Sequence, residues 1–400
     1  MSKLLVLMIT AFVDMVGLLM VLPLLPFYAM QMGGGGLAIG FLVSSYSVAQ
    51  LVSAPLWGRV SDRYGRRPAL LIGLGAAAIA YVIFGYATSL WLLLLSRLVQ
   101  GAGGGTVGVI QAYVADASEP EQRARSLGWL SAATSMGVMI GPVIGSVAQR
   151  WGNEAPGLIA AGLCVLNMLF AWRYLPESHD VHAMRTSGLR QARPREVIWR
   201  VVRHSSEPAP RLIWIYAIAM GAFQGMTAIL ALFLALRHGV TEDTIGFFFL
   251  YIGFISVVTR AGILGPAVDR LGEARLSRVG TLLLALGLAG LPFTHSLLAL
   301  GATVALVPLG TAFTFPCVTS LLSRVIGSHE RGLYMGVQQT FGGAARVLGP
   351  IGAGWAWDHL GVGVPFWVGA ALVAGTIFLG MGMEHYTRPK PDAETAPAVV

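Results

Sequence analysis

Apolar residues run along this chain in blocks of about 20, the length that crosses the ~30 Å hydrocarbon core of a bilayer at ~1.5 Å per residue. Twelve such blocks are predicted as helical spans, at residues 4–30, 37–58, 68–87, 90–114, 126–149, 156–176, 211–236, 243–267, 276–294, 298–323, 332–356 and 363–384. The polar breaks between them are short, except for one. The first block is too long for the apolar region of a signal peptide, contains Pro23 and Pro26 and lacks a small-x-small cleavage site, so it is expected to remain as the first helix. Not every position within a block can face one interior, and part of the run Phe247 to Tyr251 is expected to face lipid.

Composition agrees with the pattern. Of 400 residues, 55% are hydrophobic and 12% charged, against about 25% charged in soluble domains. The expected fold class is therefore an all-α membrane protein with twelve transmembrane helices. Cys164 and Cys317 both fall inside predicted spans and read as small buried residues rather than as a disulfide framework.

Charge gives an orientation. With a cytoplasmic N-terminus, 22 of the 27 Lys and Arg lie on the cytoplasmic side, Arg150 and Arg237 lie outside, and Arg97, Arg260 and Arg346 lie within spans. The net charge of +8 then reads as positive-inside bias with contact to anionic lipid headgroups, not as a nucleic-acid surface. Both termini are expected in the cytoplasm.

The long polar break, Arg173 to Arg211, holds eight arginines and four acids and divides the spans six and six. The expected domains are an N-terminal bundle at 1–176, a linker at 177–210, a C-terminal bundle at 211–386 and a cytoplasmic tail at 387–400. A shift of 207 or 208 residues aligns the halves. Gly58, Asp62, Arg63 and Gly65 then match Gly265, Asp269, Arg270 and Gly272, and Gly141-Pro142 matches Gly349-Pro350. Two pseudo-symmetric six-helix bundles with a site between them are the plan of a rocking transporter.

Three motifs carry a resemblance to the major facilitator superfamily. GRVSDRYGRRP, Gly58 to Pro68, resembles the signature between the second and third spans at Gly58, Asp62, Arg63, Gly65, Arg66 and Arg67. RLVQGAG, Arg97 to Gly103, resembles the fourth-span signature. GVMIGPVIG, with Gly137, Gly141, Pro142 and Gly145, resembles the fifth-span signature of the antiporters, notably the twelve-helix drug:proton exporters and tetracycline exporters. The resemblance implies the major facilitator fold and alternating access. It also implies a latch on the cytoplasmic side, formed when the cavity faces outward, in which Asp62 meets the start of the eleventh helix and Asp116 completes a charge relay. For the fifth span it implies a low-leak interface between the halves.

The residues support readings of their own. Gly58 and Gly65 are expected to let the chain turn tightly, and the arginines beside them would hold the loop inside even with no latch. The spacing of Ala133, Gly137, Gly141 and Gly145 allows close helix approach. Asp14 is the one acid deep within a span, and an embedded charge is a functional candidate by default. Thr10, Asp14 and Gly17 share a helix face, as do Arg97, Gln100, Gly101, Gly104, Gly108 and Gln111 on the fourth span. Asp14 and Arg97 lie at similar estimated depth. Either they form a static ion pair, or Asp14 carries a proton with Arg97 tuning its affinity.

Candidates for the substrate cavity are Tyr46, Gln50, Gln111, Phe223, Gln224, Met226, Tyr251, Gln338 and Phe341, amides and aromatics suited to an amphipathic ligand. Arg346 is a further candidate, for substrate or for backbone, and Arg260 is placed to snorkel. The eight histidines fall in loops or near span ends, without a His-Glu-x-x-His pair, which argues against a metal site and an enzyme. Arg97 aligns with Ala305, an asymmetry that favours a one-site carrier over a channel. The expected function is proton-coupled export of hydrophobic or amphipathic compounds from a bacterial inner membrane. Export of sugars or other small metabolites, proton symport for uptake and a sensor with a transporter fold are the alternatives. No cofactor beyond the proton is expected, and the functional unit is expected to be a monomer among membrane lipids.

Overall fold

A computed structural model describes residues 3–119, 122–177, 194–327 and 330–383; the tail at 387–400 and most of the linker lie outside the described residues. The chain is helical throughout its described core. α1 (Lys3–Val21) and α2 (Leu25–Gln31) form one span, bent where Pro23 and Pro26 withdraw backbone donors. α3 (Gly36–Tyr64), α4 (Arg66–Gly85), α5 (Leu90–Gly103), α6 (Thr106–Ala117), α7 (Arg123–Gln149) and α8 (Ala155–Tyr174) complete the first half. α9 (Pro194–Arg203) lies in the linker and buries Val197 and Val201 against the second half.

The second half holds α10 (Pro208–His238), α11 (Ile245–Val258), α12 (Leu264–Leu271), α13 (Glu273–Gly290), α14 (Leu297–Val325), α15 (Arg331–Leu360) and α16 (Val364–Leu379). A π-helical turn at Thr259–Ile263 joins α11 to α12, near the place that Pro55 occupies in α3.

Ten helical segments among the described residues are long and apolar enough to cross a membrane. The eleventh and twelfth expected spans depart from that standard for different reasons. α16 is only 16 residues long. α15 has 30 residues, but Gln338, Gln339, Thr340 and Arg346 and a run of glycines dilute its apolar character.

The internal repeat has a structural signature. Gly65 and Gly272 have φ of 106° and 75° with ψ of 158° and 157°, and each donates its N–H to a carbonyl four residues back, Ser61 and Val268. Glycine adopts this backbone without strain, so one helix ends and the next begins within a residue. Gly58, expected at the turn, instead lies inside α3.

The halves meet along two antiparallel crossings, α3 on α15 and α7 on α11. A Cβ at Gly40 would lie 2.4 Å from the Pro350 carbonyl oxygen, and one at Gly246 would lie 2.3 Å from that of Pro142. The repeat-related prolines therefore each seat on a glycine of the other half. The Gly137, Gly141 and Gly145 seam turns the other way, onto Phe12, Val16 and Met20 of α1 and α2's own span, inside the first half. The expected inter-half role of those glycines falls instead to Met139, Pro142 and Ser146.

Candidate functional site

The crossings are closed at only one end. Near the loop before α3, Asp358 accepts hydrogen bonds from the N–H groups of Gly36 and Leu37 at 2.7 and 2.8 Å. Ser146 donates to the Glu242 carbonyl at 2.7 Å and accepts from the Gly246 N–H at 2.9 Å, and Gln31 donates to Glu242 at 2.6 Å. Ser44 donates to the Val347 carbonyl at 2.6 Å. Past Leu51, which abuts Gly343, the helices part: Val52, Leu56 and Tyr64 are exposed, and nothing lies within 4 Å of a Cβ built at Gly332 or Gly336. The opening faces the side that bears the N-terminus.

Two cavities lie in this opening on either side of α6. One, of about 480 Å³, is bordered by Gln50, Leu51 and Trp57 of α3, by Asp62 and Arg66 at its mouth, and by Gln339, Thr340 and Arg346 of α15. The other, of about 720 Å³, is bordered by Asp14, Met15, Gln111, Ser131, Thr134 and Ser135 among others.

The wall between them is a broken helix. The GAGGG run, Gly101 to Gly105, has only the Ala102 methyl group to pack a continuous helix, and α5 stops at Gly103 before α6 starts at Thr106. Broken backbone at membrane depth needs substitute donors. α3 supplies them: Ser53 donates to Gly101 at 3.2 Å, Trp57 to Ala102 at 2.5 Å and Gln50 to Gly104 at 3.0 Å, all onto carbonyl oxygens. The single polar face expected along the fourth span is thus cut into two segments with different aims.

Asp14 sits beside this break, 8% exposed, and accepts a hydrogen bond from the Thr106 hydroxyl at 3.0 Å. Its carboxylate therefore meets the first residue of α6 and also borders the larger cavity. Thr10 and Gly17, on the same helix face, lie against Asn167 and Tyr81. Arg97, 2% exposed, does not form an ion pair with Asp14. Its guanidinium lies 4.7 Å over the Tyr46 ring and donates to Gln100, whose amide donates to the Tyr81 hydroxyl at 2.7 Å. Asp14, Thr106, Gln100, Tyr81 and Tyr46 border one narrow void. Arg97 reaches the acid's surroundings through Gln100 and Tyr81.

At the mouth, Arg66 bridges two carboxylates, donating to Asp62 at 2.7 Å and to Asp116 at 3.0 Å, and also donates to Ser61. Glu177 accepts from the Arg66 and Arg67 backbone N–H groups at 2.9 and 3.0 Å, tying the linker's start to the first turn of α4. Asp62 is turned to Arg66 and not to the start of α15, the contact that the family pattern implies for the opposite opening. Arg63 lies over the ring of Tyr64.

The chain matches the family model described as Major Facilitator Superfamily over residues 7–350 and 261–399. It belongs to that superfamily. The transporter is 31% identical over 354 residues to the class C tetracycline resistance protein of Escherichia coli, across 88% of each chain. It is 25% identical over 402 residues to Multidrug resistance protein 2 of Bacillus subtilis, across 98% of this chain and 96% of that one. Among solved structures, the human organic anion transporter MFSD10 superposes with a TM-score of 0.68 at 25% identity, covering 94% of this chain and 98% of that one. The protein is thus a multi-pass membrane transporter and not an enzyme.

The substrate candidates divide by helix face. Gln50 and Arg346 border the smaller cavity, Gln111 the larger one, and Tyr46 the void between. Gln224 lies in a small pocket under the closed end. Gln338 is fully buried beside Thr319, Met226 and Phe223 pack into the core of the transporter, and Phe341 stacks edge-on with Trp214, so these four border neither of the two cavities in the opening. Tyr251 borders an outer groove with Leu297 and Leu298. Sequence reading missed Gln339 and Thr340. The available signal was the α15 face Gln339, Gly343, Arg346 and Pro350, spaced at helical intervals.

Proposed function

We propose that this transporter is a proton-coupled antiporter that exports hydrophobic or amphipathic small molecules by alternating access. The observation that carries the reading is Asp14, an embedded carboxylate bonded to the first residue of a broken helix and open on a cavity. A group so placed can exchange a proton with the cavity and answer to movement of the helix beside it. Kinship with tetracycline and multidrug resistance proteins supports drug efflux as the physiological role, in a bacterial inner membrane and with antibiotic resistance as its consequence. With both termini cytoplasmic, the opening described above is the state that loads substrate from inside. No cofactor is needed beyond the proton, and a monomer suffices. One charge moving through ~100 mV yields ~2.3 kcal/mol, enough for a roughly 50-fold gradient.

The test is substrate-driven proton movement in proteoliposomes. Asp14→Asn should keep substrate binding and downhill exchange but lose uphill export and the coupled proton flux. Full substrate-linked proton release from that variant would assign the proton to another group.

A further inference from the structure

We propose that the cargo is an organic anion, an apolar body bearing a carboxylate or sulfonate, whose acidic group is held by Arg346 in the cavity between α3 and α15. Arg346 stands at the middle of α15, fifteen residues from Arg331 and fourteen from Leu360. That is about 20 Å from either end, where an unpaired cation is costly and functional by default. Among the described residues, three charged side chains border the cavity: Asp62, Arg66 and Arg346. Asp62 and Arg66 pair with each other, and Asp116 adds a second carboxylate to Arg66. Arg346 has no ion pair among the described residues; its one side-chain hydrogen bond is a long one, 3.4 Å to Gln339.

The other embedded cation on this path is closed off from the cavity. Arg97 is 2% exposed, lies over Tyr46 and donates to Gln100, with its Nε left unpartnered inside the fold. Arg346 keeps its guanidinium donors for something that enters the cavity, and a planar guanidinium suits the two oxygens of a carboxylate. Around it, Leu51, Ala54 and Trp57 supply apolar wall and Gln50 an amide. An amphipathic anion matches this lining, whereas an organic cation would face Arg346 with like charge. Asp14 borders the other cavity, across α6, so proton and anion need not compete for one place. The inference rests on the export reading for the direction of transport, and on the cavity alone for the charge of the cargo.

The experiment measures binding to the full chain in neutral detergent with no pH gradient. The probes are aryl carboxylates, each with its methyl ester and an aryl ammonium of like size. The wild type should favour each carboxylate over its ester, and Arg346→Gln should reduce that preference about tenfold or more, the worth of one charge-assisted contact. Arg346→Lys keeps the charge without the planar fork and should retain part of the preference, more than Arg346→Gln does, which separates loss of charge from misfolding. Equal binding of acid and ester, preference for the ammonium, no carboxylate binding, or a preference that survives Arg346→Gln would each overturn the proposal. Displacement of the carboxylates by phosphatidylglycerol, with no carboxylate flux in liposomes, would assign Arg346 to a lipid headgroup and overturn it as a cargo site. Carboxylate binding and flux without proton movement would sink the proton-coupling reading and leave this one standing.

Discussion

A methyl group at Gly145 would lie 2.2 Å from the Met20 carbonyl oxygen, whereas one at Gly58 would meet nothing within 4 Å. Both glycines belong to family-like motifs, yet their physical duties differ. Gly145→Ala should force α7 away from the first span and destabilise the fold by about 1–3 kcal/mol, the usual cost of overpacking. Gly58→Ala lies in a helix interior and should be neutral or stabilising by up to about 1 kcal/mol. Gly58 does border the cavity mouth, where the halves must approach when the opening reverses. Its alanine variant is therefore expected to keep its unfolding temperature in detergent and to lose turnover. Gly65 is a third case, with φ of +106° and a Cβ position 2.5 Å from the Glu177 carboxylate, so alanine there should both strain the turn and displace the cap on α4.

Among elements, the break between α5 and α6 deserves the closest test because it sets where Asp14 sits. Trp57→Phe keeps an aromatic ring at this place, though a smaller one, and removes the N–H that satisfies the Ala102 carbonyl. An unmet carbonyl at this depth should cost about 1–3 kcal/mol, read as a lower unfolding temperature, and transport should fall with it; unchanged stability would mean that water replaces the indole. The sequence foretold much at this scale and missed this feature for a definable reason. Apolar block length located the ten apolar helical segments, and the 207-residue offset located Gly65 and Gly272 with their shared backbone conformation. A regular 3.6-residue repeat was then carried through GAGGG, although five residues with one methyl group among them supply no packing to enforce it. The partners that make the break tolerable, Gln50, Ser53 and Trp57, come from another helix and carry no local signal at the glycines. Similarly, one position on α15 separates Gln338, buried, from Gln339, exposed to the cavity; helix phase decides it, and the apolar pattern there is too sparse to set the phase.

On the scale of the whole molecule, the two halves are held at one end by contacts that must break if the opening is to change sides. Asp358 is the clearest of them, because its carboxylate takes two N–H groups at the start of α3, the positive end of that helix, across the boundary between the halves. Losing such a cap costs about 1–2 kcal/mol, which changes a two-state ratio by a factor of roughly 5–30. Asp358→Ala should therefore shift the population toward opening at that end. Asp62→Asn should do the reverse, if the aspartate latches the other face in the alternate state as the family pattern implies. Thr227, in the small pocket beneath the closed end, and Thr340, in the open cavity, report the two sides when each is replaced by cysteine. The native Cys164 and Cys317 are buried and should stay silent to a membrane-impermeant thiol reagent. The expected result is faster labelling of Thr227→Cys and slower labelling of Thr340→Cys in the Asp358→Ala background, the opposite in Asp62→Asn, and a return toward wild-type rates when both are combined. Labelling rates that move together at the two positions would mean that the substitutions loosen the fold instead of biasing one equilibrium. Compensation in the double variant is the outcome that loosening cannot produce, since two destabilised ends would label faster at both.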